Sequence, residues 1–376
     1  MRCAEIKGNE RWILSCDGGG IRGIITLQCL KFLEEYCNAQ CHEIFDMFAG
    51  TSTGAIIAGG LASKKLTVGE LIRIYRDRRD EFFTRTWSSY LLGRLVTKYQ
   101  KRALHEMLRA TFGDMQLQHC TKDVMITATD TVISETIYFS YFKNNGKPYG
   151  KYGAIRLRDA IEASVSAPTY FAPHYSFVDG GVGTYNNPCY AAAVEALRYS
   201  AGQTSDRVYK AGAVRVLSFG TGAQVNNMEP GEAMTRSNLD WLDYIIGEGM
   251  DQANSQQSYI CYSEAHHKEF CHMEPTPRVP AVKFFRYQIV LNKETLSNIG
   301  VNLPPDFDPA TLTFDALDDE LFEILSQIGI GFGRRLSEQD FYLTNPDGHQ
   351  EPYNCREATH REPSDLQNEF DKIDKE

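Results

Sequence analysis

Three short segments hold the side chains with the means to do chemistry. The first is Gly50–Thr51–Ser52–Thr53–Gly54. A serine between glycines, set between a strand and a helix, lies on a sharp turn that projects its hydroxyl into the open. Gly50 and Gly54 give such a turn room and unusual backbone angles. The amides that start the following helix favour negative charge at the same place. A tight turn of small residues is the plain alternative.

The second segment is Asp17–Gly18–Gly19–Gly20–Ile21–Arg22–Gly23. Attack of a serine on an ester places negative charge on the former carbonyl oxygen. The amides of Gly18, Gly19 and Gly20 are candidates to receive it, because glycine lets a backbone N–H approach a ligand unobstructed. Arg22 either braces the loop or adds positive charge beside it. Gly18, Gly20 and Gly23 also match GxGxxG between a strand and a helix, the dinucleotide fingerprint, with Glu43 and Asp46 near the distance of a ribose-binding acid. A nucleotide-binding signalling module is therefore the competing reading. The GTSTG turn argues against it, since a dinucleotide site has no use for an exposed serine at the end of its second strand.

A serine hydroxyl needs a base. Val178–Asp179–Gly180–Gly181 supplies one at the end of a short strand, and a parallel sheet gathers such strand ends on one edge. By itself, Asp-Gly-Gly is an ordinary turn. Together and in this order, DGGGIRG, GTSTG and DGG resemble the patatin-like phospholipase family, over about Arg11 to Gly222. Ala163–Ser164–Val165–Ser166–Ala167–Pro168 and Ser218–Phe219–Gly220–Thr221–Gly222 fit further recurrent segments of that family. The resemblance implies a Ser–Asp dyad without histidine: Ser52 as nucleophile, Asp179 as base, and an oxyanion hole from Gly18, Gly19 and Gly20, with Arg22, Gly50, Gly54 and Gly180 in support. It implies fatty-acyl esters of membrane lipids as substrates. A Ser–His–Asp triad stays open as the other arrangement, with His266, His267, His272, His349 or His360 following the aspartate. His174 lies near Asp179 in sequence, where a structural role is expected.

The elements that must position these residues alternate as in an α/β protein. Arg11–Cys16 and Phe45–Ala49 read as buried strands, each followed by a glycine turn and an apolar helix. Thr67 and Glu70 have capping-box spacing ahead of a helix towards Phe83. Strands are predicted at Val124–Thr131, Thr136–Phe142, Ser176–Val178, Val214–Phe219 and Val282–Leu291. Helices are predicted at Tyr99–Phe112, Arg156–Ser166, Cys189–Ser200, Leu239–Tyr262 and Phe314–Ile328. Gly329–Gly333 reads as a helix end and a turn, and Asp318–Glu323 as a solvated charge run. The expected architecture is a three-layer α/β sandwich around a mostly parallel sheet. Residues 1–224 form the expected catalytic core. Residues 225–350 complete the α/β domain or form a lid or regulatory region, and 351–376 read as a flexible tail.

Composition bounds the partners. The 376 residues carry a net charge of −10, which disfavours nucleic acid and anionic membranes. No apolar run approaches the length of a bilayer span. Glu5, Lys7, Glu10 and Arg11 interrupt the start before an apolar stretch develops, so a cytoplasmic protein with peripheral membrane contact is expected. The ten cysteines are scattered, which favours reduced thiols. Cys261, His266, His267, Cys271 and His272 are bunched without a familiar metal spacing, so no metal or cofactor is expected. Trp87–Gly93 has the composition of a lid or interfacial patch, although a packing segment is the plainer assignment. A free phospholipase endangers its own cell, and this motivates the expectation of a small-molecule or protein activator.

Overall fold

β1 (Arg11–Cys16) is the centre of the sheet, hydrogen-bonded in parallel to β2 (Met47–Gly50) on one side and β6 (Val214–Phe219) on the other. The computed structural model describes residues 7–86, 97–143, 151–200, 208–224, 235, 237, 241, 252–261 and 282–336. β3 (Asp123–Asp130) extends the sheet in parallel beyond β2, and β7 (Lys283–Tyr287) does so beyond β6. β4 (Glu135–Tyr141) closes the β3 side as an antiparallel hairpin strand, giving the order β4-β3-β2-β1-β6-β7. The expected mostly parallel α/β sheet is thus present.

Alternation along the strands divides the core into two layers, as a period of two requires. Trp12, Leu14 and Cys16 of β1, Phe48 of β2, Val124 and Ile126 of β3, and Leu217 and Phe219 of β6 share one apolar cluster. Ile13, Met47, Met125 and Val216 belong to the cluster on the other face. The larger layer includes α1 (Gly23–Cys37), α2 (Thr53–Ser63), α3 (Val68–Phe82), α4 (Arg102–Phe112) and α5 (Leu157–Ser164). The smaller layer includes α6 (Cys189–Ser200). All eleven residues of α2 are buried, so this helix stands behind the sheet with no solvent face. The Thr67–Glu70 capping box starts α3 as its spacing predicts.

Some expectations need correction. β5 (Phe177–Asp179) pairs with β3 antiparallel, not parallel. The aspartate therefore enters the site from beyond the sheet edge, running back inward, instead of arriving on a parallel strand end. α7 (Lys293–Asn298) is followed by α8 (Asp319–Gly333), which starts five residues later than its apolar pattern suggests, because Asp318 is the N-cap and accepts from the Glu320 and Leu321 amides. Gly329–Gly333 is the helix end expected, but it stays helical throughout and holds no turn. A Cβ on Gly329 would stand 2.8 Å from the Ile25 carbonyl oxygen, so the glycine lets α8 lie directly on α1. The charge run is a solvated face as expected: Asp318, Asp319, Glu320 and Glu323 are all exposed, and Asp319 pairs with Arg79 of α3 from that face. Cys37 is disulfide-bonded, contrary to the expectation of reduced thiols, whereas Cys16, Cys29, Cys41, Cys120 and Cys189 are buried free thiols. Residues 252–261 are helical, but most of the Leu239–Tyr262 prediction, Trp87–Gly93, the clustered histidines after Cys261 and the tail from 351 lie outside the described residues.

Candidate active site

Register puts the three motifs on one edge. Cys16 pairs with Gly50 and with Phe219, and Phe219 pairs with Tyr287, so four parallel strands end in one row. The chain leaves that row into the glycine loop after β1 and the serine turn after β2. Gly50 also pairs with Ile126, and Ala128, two residues further on, pairs with Asp179. Adjacent strands are about 4.8 Å apart, so Asp179 comes within a side chain's reach of the residue two places after Gly50.

That residue is Ser52, with φ 54° and ψ −122°. A non-glycine residue in the left-handed half of backbone space costs on the order of 1–3 kcal/mol and persists only where its surroundings hold it. Here the holders are visible. The Ser52 amide donates to Ser164 Oγ at 2.8 Å. The Thr51 hydroxyl contacts Thr127 Oγ1 at 2.6 Å and donates to the Tyr185 carbonyl at 2.6 Å, tying the turn to β3 and to the segment after Asp179. A Cβ on Gly54 would sit 2.1 Å from the Cys16 carbonyl oxygen, so only glycine lets the first turn of α2 press against the end of β1.

Asp179 is 4% exposed. Burial pushes its carboxyl up to about 6, while hydrogen bonds from the Ser52 hydroxyl and the Gly181 amide favour the charged form and limit the rise. The Gly181 amide lies 2.8 Å from Oδ1. Gly180 packs so closely on Thr127 that a Cβ there would meet Thr127 Oγ1 at 2.3 Å. Among the described residues no cation pairs with Asp179.

In the glycine loop, the Gly18 amide already donates to the Asn186 carbonyl at 3.0 Å, so it is not available to an oxyanion. The Gly19 and Gly20 amides have no acceptor among the described residues. Thr221 Oγ1 donates to the Gly18 carbonyl at 2.8 Å, and the Ile21 amide donates to the Phe314 carbonyl at 2.8 Å. Gly20 has φ +57°, and any side chain on it would strike that Phe314 carbonyl. Arg22 is buried, with its guanidinium 4.1 Å from the centroid of the Phe314 ring, as a brace for the loop. Beneath the loop, Arg286 on β7 grips both carboxylate oxygens of Asp17, one at 2.8 Å, and donates to Ser218 Oγ at 2.7 Å.

Sequence reasoning missed Arg286 and Asn186, and it named Ser164 and Thr221 only within family-like segments, without a role. KFFRY reads only as a strand, and nothing local ties its arginine to an aspartate 269 residues away. The other candidates resolve differently. Glu43 belongs to a capping box and Asp46 pairs with Lys7 and Arg11, so neither acid is free for a ribose. His174 pairs with Glu162 at 3.3 Å, not with Asp179. The histidines from 266 onward lie outside the described residues. Among the described residues no group of metal-ligating side chains is present, and no helix is long and apolar enough to cross a membrane. A half-buried turn hydroxyl, a nearby buried carboxylate and two unengaged amides are the groups that nucleophilic acyl transfer needs.

Residues 14–193 match the sequence model for patatin-like phospholipase. A cGAMP-activated phospholipase of Escherichia coli is 30% identical over 254 residues, 63% of this chain and 68% of that protein. A protein of the same description from Vibrio cholerae is 30% identical over 252 residues, 61% of this chain and 69% of that one. Patatin-like protein 2 of Oryza sativa subsp. indica is 31% identical over 218 residues, 50% of this chain and 53% of the rice protein.

Proposed function

The chain belongs to the patatin-like phospholipase family and is a lipid hydrolase, and from that premise we propose that it cleaves fatty-acyl esters of membrane glycerophospholipids through a Ser52–Asp179 dyad. The observation that carries the reading is the Ser52 turn, a non-glycine residue at φ 54° set beside a buried carboxyl that desolvation pushes up to about 6.

Asp179 takes the proton from Ser52 Oγ as the oxygen attacks the ester carbonyl carbon. The Gly19 and Gly20 amides receive the resulting oxyanion, and each such donor is worth about 3 kcal/mol of barrier. Collapse of the intermediate expels the lysolipid alkoxide, which takes the proton from Asp179. Water then attacks the acyl-serine, giving its proton to Asp179, and the fatty acid leaves as Ser52 recovers its own. A free aspartate has a pKa of about 3.9 and is a weak base. Burial raises the basicity of this one toward the working pH.

Residues 1–224 are proposed as the catalytic core, completed by 225–350. Support for this comes from β7, which adds to the sheet and delivers Arg286, and from α8, which covers α1. Activation by a small molecule is also proposed, supported by the two bacterial relatives whose names describe activation by cGAMP.

The test is fatty-acid release from phospholipid vesicles, with and without cGAMP, by the intact protein, Ser52→Ala and Asp179→Asn. Release by the intact protein and silence of both folded variants is the expected result. Full release by Asp179→Asn would remove the dyad, and full release by the intact protein without cGAMP would remove that activator.

A further inference from the structure

Seven large apolar side chains are strongly exposed among the described residues, and four of them gather beside Asp179. Val132 (77% exposed) and Ile133 (57%) form the tip of the β3–β4 hairpin. Tyr175 (91%) lies in the turn before β5, and Val182 (55%) follows Asp179 by three residues. Backbone pairing holds these segments together. The Thr131 amide and hydroxyl both donate to the Ser176 carbonyl, at 2.9 and 2.8 Å. Asp130 pairs with Phe177 across the β3–β5 ladder, and the Thr136 hydroxyl reaches the Gly183 carbonyl at 3.5 Å.

Single exposed apolar residues are ordinary, but a contiguous group marks an interaction surface. This one is a built feature. The Val132 amide is capped by Asp130 Oδ1 at 2.9 Å, and the two turns hold Ser134 at φ 55° and Tyr175 at φ 53°, angles that non-glycine residues seldom adopt. The structure thus fixes apolar side chains in water on segments that join the Asp179 strand through the β3–β5 ladder and the turn after it.

We propose that this rim, Val132, Ile133, Tyr175 and Val182, is the surface by which the protein rests on a zwitterionic lipid bilayer. The proposal builds on the lipid-hydrolase reading, because a substrate held in a bilayer must meet the serine turn at the membrane surface. The net charge of −10, and the carboxylates of Asp130 and Glu135 beside the tip, select against anionic headgroups. Four exposed side chains also fall short of the extensive contact that a stable dimer requires.

The experiment measures co-sedimentation with phosphatidylcholine vesicles in the Ser52→Ala background, so that binding is read apart from turnover. The double variant Val132→Asp/Ile133→Asp should lower the vesicle-bound to free ratio at least about tenfold, and Val132→Trp should raise it about threefold. With Ser52 restored, both variants should cleave a dissolved short-chain ester within about twofold of the parent. Unchanged partition in both variants overturns the proposal. So does loss of binding accompanied by a shift from dimer to monomer in sedimentation velocity. Vesicle binding that responds to these substitutions in a protein that hydrolyses no ester would sink the dyad and leave the docking surface standing.

Discussion

Asp179 and Glu162 are both buried carboxylates on the same side of the sheet, and their surroundings treat them in opposite ways. Asp179 has a hydroxyl and an amide for partners, and burial pushes it up to about 6. Burial acts on Glu162 in the same direction, but hydrogen bonds from His174 and His105, reinforced by the charges of His174 and Lys101, overcome it and pull the carboxyl down to about 2. His105 Nδ1 lies 2.8 Å from it. Asp17, gripped by Arg286, is a third case, still raised because it is fully enclosed. A buried carboxylate surrounded by cations is a structural anchor. One buried without a cation is unstable as an ion, and that instability is what a base requires.

Removing the unpaired carboxylate gives the largest expected effect. Asp179→Asn should lower hydrolysis on the order of 10⁴-fold. It should also stabilise the fold. Ionised Asp179 is disfavoured in the folded state, so above a pH near 6 the wild type bears the full cost of that ionisation, and below about 4 it bears none. The variant should therefore gain about 2 kcal/mol at pH 8 and almost nothing at pH 4, read by urea denaturation. Destabilisation at pH 8 would break the contrast. Arg286→Met leaves Asp17 buried without its cation and should cost about 3–5 kcal/mol of unfolding free energy. A cost below 1 kcal/mol would mean that the pair is not what holds the glycine loop.

The pH profile sharpens the same comparison. Because the base must be ionised, kcat/KM should fall about tenfold per pH unit below roughly 6. An acid limb near 4 would show that burial does not tune Asp179. Glu162→Gln keeps the shape but removes the charge that draws Lys101, His105 and His174 together, at a cost of about 1–2 kcal/mol at neutral pH. The depressed carboxyl contributes stability above its unfolded value near 4.5 and loses it as pH falls towards 2, so the difference between variant and wild type should shrink in acid. Activity should fall less than tenfold, since Glu162 touches no reacting atom. The smallest effect is far from either carboxylate: Thr67→Ala removes the cap of α3 and should cost about 1 kcal/mol with unchanged turnover.

Much of the site was legible in the chain because its features are local. GTSTG and DGGGIRG announce themselves through glycines that a strand-to-helix turn requires, and the apolar run of RWILSC predicts a buried strand with the bounds observed. The helix starts at Thr67 and Cys189 follow from capping and proline rules of the same short range. Long-range partners were not legible. Ser164, Asn186, Thr221 and Phe314 are small, polar or apolar residues of no distinctive spacing, and they matter only because folding lays them against the serine turn and the glycine loop. The direction of β5 was hidden for the same reason: three residues state that a strand exists, not which way its neighbour runs.

The sequence by itself determined which backbone turns form and which side chains they expose, since those depend on residues a few positions apart. Tertiary structure decided which amides remain unengaged, that Arg286 answers Asp17, and that Asp179 is enclosed without a cation while Glu162 faces Lys101, His105 and His174. Hydrogen-bond satisfaction and desolvation depend on every group packed around an atom, and those groups come from the whole length of the chain.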